Sequence, residues 1–122
     1  MLTVKAVRDW LATLFPSDTV LAGFLDANLN QCLAVYQRDT GVWNQAIGGN
    51  STYQRFYGKV LVHWGTASDV CEAKADTVFN TILANRSQYA GITMDRPPVL
   101  IGRDNRGIFE AVVIFTIIYE TE

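Results

Sequence analysis

The chain has 122 residues, 49% apolar and 18% charged, a composition far from the low-hydrophobicity, high-charge balance that keeps a chain disordered. A domain of this length buries roughly two-thirds of the surface its unfolded chain exposes, so a single core over residues 1–122 is expected without disulfides or metals. Ten Lys and Arg against twelve Asp and Glu leave a net charge of −2, which provides no summed positive field for a nucleic acid. The longest unbroken apolar run, Ala111 to Phe115, is far short of the roughly 20 residues that span a bilayer, and no continuous apolar segment follows the first basic residues. These readings predict an intracellular, unprocessed protein with neither membrane nor nucleic-acid partners.

Val4, Val7, Leu11 and Leu14 recur at helical spacing and Pro16 blocks a smooth continuation, so an amphipathic helix is predicted to end near Leu14. Thr19 to Leu25 fits a short strand or a helical turn equally. Asn28-Leu29-Asn30 reads as a turn, followed by a strand from Cys32 to Arg38 that the Asp39-Thr40-Gly41 punctuation closes. Gly48-Gly49-Asn50 gives the next stretch the backbone freedom of a turn or bulge. From Tyr57 to Trp64 the pattern alternates, with Val60, Val62 and Trp64 predicted inward and Lys59, Leu61 and His63 on the other face. Thr66 and Asp69 have the spacing of a capping box for a second helix, along which Cys71, Ala75, Val78, Phe79 and Ile82 share a face. That helix fades by Arg86, with Gly91 as a stop. Val99 to Ile101, the polar turn Gly102 to Gly107, and Ile108 to Tyr119 read as a hairpin with one long arm. The predicted fold is α+β: a mainly antiparallel four- to five-stranded sheet with two helices packed on one face.

Catalytic, cofactor and metal sites are not evident. Cys32 and Cys71 fall in different elements without a Cys or His at metal-ligand spacing, which predicts two buried free thiols. His63, the only histidine, is predicted to be a sheet-surface residue rather than a general base. Asp39-Thr40-Gly41 resembles the active-site triplet of retroviral-type aspartic proteases, and Ile101-Gly102-Arg103 resembles a later segment of the same family. In those enzymes an apolar strand seats a pair of carboxylates that share one proton, whereas Gln37 and Arg38 precede the triplet here. Trp43, Trp64, Tyr53 and Tyr57 raise a further alternative, a small ligand-binding module built on aromatic strands.

The last strand carries the most useful signal. Phe109, Ala111, Val113, Phe115, Ile117 and Tyr119 make one apolar face, while Val112, Ile114 and Ile118 appear on the other beside Glu110 and Thr116. Two helices cover one face of such a sheet, so a second subunit is expected on the remainder.

Four features in order carry a resemblance: the N-terminal amphipathic helix, Ala46-Ile47-Gly48-Gly49, the strand Val60 to Trp64 leading into the helix around Ala75 to Leu83, and the closing hairpin with its Ile101-Gly102-Arg103-Asp104 core and Gly107. Together they resemble the minor capsid or tail terminator proteins of long-tailed phages and prophages. In such proteins the strand before the second helix commonly ends in a basic residue; His63 and Trp64 stand there in this chain. The resemblance implies a non-enzymatic virion protein without cofactors, in which several copies, six in the family pattern, form a ring at the tail end or neck. Its implied partners are further copies of itself, the tail tube protein and the head-tail connector protein, with assembly in the bacterial host cytoplasm. The interface residues expected on this basis are Val112, Ile114, Ile118, Arg103, Asp104 and Arg106.

Overall fold

A computed structural model of the chain describes residues 2–39, 43–45 and 52–121. In chain order the elements are α1 (Val4–Leu14), β1 (Val20–Ala22), β2 (Gln31–Asp39), β3 (Trp43–Gln45), β4 (Thr52–Trp64), α2 (Ser68–Ala84), a 3-10 turn (Arg86–Gln88), β5 (Gly91–Met94), β6 (Val99–Arg103) and β7 (Phe109–Thr121). The class is α+β, as the patterning predicts.

Helix α1 begins where Thr3 Oγ1 accepts a hydrogen bond from Ala6 N at 3.1 Å, satisfying one of the free donors of the first turn. It buries Val7, Trp10 and Leu11 and stops at Phe15, ahead of Pro16. Helix α2 starts differently from the expectation. Its N-cap is Ala67, without a side-chain cap bond, so the Thr66–Asp69 box does not form; burial of Cys71, Ala75, Val78 and Ile82 holds the helix instead. Asp69 remains in the first turn, where a carboxylate is favoured by the helix dipole.

Seven strands make one sheet in the order β1-β2-β4-β7-β5, with β3 also paired to β4 and β6 also paired to β7. The sheet is therefore five strands wide, with β3 continuing the β2 column along β4 and β6 continuing the β5 column along β7. All pairs are antiparallel except β1 with β2. Gly91, expected to end the helix, instead opens β5 opposite Ile118. The 13-residue strands β4 and β7 form the central pair, Thr52 opposite Thr121 at one end and His63 opposite Glu110 at the other.

Cross-strand pairing sorts side chains onto two faces. Leu33, Val62 and Ala111 form one row, and Val35, Val60 and Val113 form the next. Both rows join Val7, Trp10 and Leu11 of α1 and Cys71, Val78 and Ile82 of α2 in one buried cluster. The two helices thus lie on the same face. Lys74 ties α2 to the segment after α1, with Nζ 2.6 Å from Asp18 Oδ2 and over the Trp64 ring at 4.4 Å. Gly58 sits opposite Phe115 for a steric reason: a Cβ there would lie 2.5 Å from Phe115 Cζ and 2.9 Å from a Phe56 ring carbon. Among the described residues no helix is long and apolar enough to cross a membrane.

Candidate interaction surface

The opposite face of the sheet has no helical layer among the described residues. One row across it is Ala34, Leu61, Val112 and Val99, contributed by β2, β4, β7 and β6. The neighbouring row is Tyr36, Lys59 and Ile114, and farther along Arg55 faces Ile118. Leu61, Val112 and Ile118 stay half-buried, and Val99 is 42% exposed at the sheet edge. A bulge between Leu100 and Gly102 in β6 turns Ile101 outward, where it is 56% exposed.

Long side chains supply what cover this face has. Arg38 lies across the strands: Nε donates to Gly58 O at 2.8 Å, Nη2 donates to Asp95 Oδ2 at 2.9 Å and Phe115 O at 3.1 Å, and the guanidinium stands over the Tyr57 ring at 5.6 Å. Lys59 Nζ lies over the Tyr36 ring at 5.4 Å. With these neighbours Ile114 is 8% exposed and Thr116 is buried, its hydroxyl donating to Asp95 Oδ2 at 3.1 Å.

One end of the face is closed. Cys32, His63 and Glu110 are direct cross-strand neighbours there. The residue 23–30 loop and the β6–β7 turn meet over them: Arg106 donates to Ala27 O and to Asn30 Oδ1, and Gly65 N donates to Asn30 O at 2.9 Å. His63 is consequently 0% exposed, which corrects the surface position expected from its alternation. Alternation identifies the face, whereas the covering comes from two segments remote in sequence. His63 Nδ1 lies 3.1 Å from Glu110 Oε2. Nε2 has no hydrogen-bond partner among the described residues and faces Asp104 Oδ2 at 3.7 Å.

Asp104 also builds the turn itself. Its Oδ1 accepts from Arg106 N at 2.8 Å and Ile108 N at 3.0 Å, and Gly107 adopts a φ of 83° that suits glycine. The hydrogen bond from Ile108 N–H, then that from Arg106 N–H and the nearby His63 and Arg106 charges, hold its carboxyl below the ordinary aspartate value. Both thiols are free and buried. Burial, the leading cause, pushes Cys71 up to about 11 and also raises Cys32, a setting for inert thiols.

Of the residues read from sequence as an interface, Val112, Ile114 and Ile118 share the helix-free face, and Arg103 is exposed beside the bulge. Asp104 and Arg106 are engaged inside the chain, on the turn and the residue 23–30 loop. Asp39 ends β2, while Thr40, Gly41 and the Ala46-Ile47-Gly48-Gly49 segment lie outside the described residues. The candidate aromatics divide between the faces: Trp64 packs against the helix-side core, whereas Tyr53 and Tyr57 share the opposite face, Tyr53 exposed and Tyr57 under Arg38. Among the described residues no group of three or more His, Cys, Asp or Glu side chains is placed to hold a metal ion. No protein-family model matches the chain, and no curated protein matches it.

Sequence patterning missed the His63–Glu110–Asp104 cluster and the place of Val99 in the apolar row. Leu61 carried a signal, as the apolar member of an otherwise polar alternation, but the bulge that aligns Val99 with Val112 leaves no local signature beyond Gly102.

Proposed function

We propose that the protein is a structural component of a phage or prophage virion, a tail terminator or minor capsid protein that works as a ring of identical subunits, six in the family pattern, at the junction of tail and head. The observation that carries the reading is the helix-free sheet face, where Leu61, Val112 and Ile118 remain half-buried and continue to exposed Val99. A half-covered apolar row on a central strand pair is the surface a subunit contact stabilises, at roughly 25 cal/mol for each Å² removed from water. Its position alongside the β6 edge, with Ile101 and Arg103 turned outward, suits a ring in which one patch meets a different patch of the neighbour. The sequence resemblance supplies the biological setting, with the tail tube protein and the connector protein as the partners at the two rims.

The deciding experiment is electron microscopy of particles made without this protein. Overlong tails, or tails of normal construction that do not join heads, are the expected result. Normal-length tails joined to heads overturn the reading.

A further inference from the structure

Helix α2 carries an outward stripe of acid. Asp69, Glu72 and Asp76 follow one another at spacings of three and four residues, are all exposed, and enter no ion pair among the described residues. The one cation of the helix, Lys74, is turned away to Asp18 and Trp64 and does not neutralise the stripe.

The helix-free sheet face has the opposite character. Arg55 and Lys59 stand on it four residues apart along β4 and enter no ion pair among the described residues, next to the half-buried Leu61 and Val112. The other charges toward that face are Arg38 with Asp95, which satisfy each other at 2.9 Å, Glu110 against His63 at the closed end, and Glu120 near the far end of β7. The dimensions agree. Seven residues of helix span about 10 Å, and four residues of strand about 13 Å.

We infer that the acidic stripe of α2 in one copy of this chain docks on the helix-free sheet face of the next copy. The carboxylates then meet Arg55 and Lys59, beside the apolar row of Leu61 and Val112. Each sheet is thereby sandwiched between its own helices and a helix of its neighbour, which is how a sheet with apolar side chains on both faces is ordinarily covered. The two patches differ and lie on opposite sides of the molecule, so the contact is heterologous and propagates from copy to copy, closing into a ring when the rotation between subunits permits. The inference rests on the self-association proposed above and names the two surfaces that make it.

The test uses three forms of the full chain in sedimentation velocity: the parent, a sheet variant (Arg55→Glu with Lys59→Glu) and a helix variant (Asp69→Lys, Glu72→Lys and Asp76→Lys). Circular dichroism verifies that each is folded. The parent is expected to self-associate, more weakly as salt screens the contact. Each variant alone should lose at least about tenfold in association. The decisive sample is an equal mixture of the two variants. Each retains the original patch that the other lacks, and reversal has made their altered patches repel their own kind, so the mixture should form assemblies that neither variant forms alone. A parent that stays monomeric up to its solubility limit overturns the inference. Parent-like association by either variant alone, or a mixture that remains monomeric, overturns it too. The particle phenotype is read separately, so defective tails together with charge-insensitive association would leave the virion role standing and remove only this interface.

Discussion

On the helix side of β7, Ala111, Val113, Phe115 and Ile117 are buried by a second layer of the same chain; on its other side, Val112 and Ile118 are only half-buried between long polar side chains. Both faces are built from β-branched and aromatic residues, so hydrophobicity along the strand does not distinguish them. What distinguishes them is whether the chain had a helix left to spend on each.

The largest effect that sharpens the contrast is Phe115→Ala, which removes a fully buried ring and should cost about 4 kcal/mol in urea unfolding. Ile118→Ala, on the same strand but the open face, should cost under about 1 kcal/mol. Equal losses would show that the open face is closed by the chain itself.

The closed end of the open face provides the next test. His63→Ala leaves the Glu110 and Asp104 carboxylates without their shared imidazole and should cost about 3 kcal/mol. Lys59→Ala, a few residues away over Tyr36, should stay within about 1 kcal/mol. Gly58→Ala drives a methyl into the Phe115 ring and is expected to cost about 2 kcal/mol, more than a strand glycine replaced in open space.

The smallest effect is a pH dependence. Asp104 holds its proton less tightly in the folded chain than in the unfolded one, so its contribution is complete above the ordinary aspartate range and fades as the pH falls below about 4. Asp104→Asn keeps an oxygen to accept the turn hydrogen bonds but has no charge to lose. The stability gap between parent and variant, followed by urea titration, should therefore shrink from pH 6 to pH 3. A gap that widens on acidification would show that Asp104 is not held in its charged form by the turn.

The sequence by itself determined the α+β class, the amphipathic stripe of α1, the buried face of α2, the central strands, and the two-sided character of β7, because these follow from side-chain period and are decided within a few residues. It also placed Val112, Ile114 and Ile118 together on one face. Only the tertiary structure decided that His63 is buried, that β5 and β6 share one edge of β7, and that Val99 joins the row of Leu61 and Val112. Each of these depends on segments far apart in the chain meeting in a particular register: the residue 23–30 loop over the β6–β7 turn, and a bulge that shifts β6 by one residue. The same reason accounts for the charge pattern. Asp69, Glu72 and Asp76 are plain in the sequence, but that they lie across the molecule from Arg55 and Lys59 is a property of the fold, since α2 packs on the face that those two side chains leave.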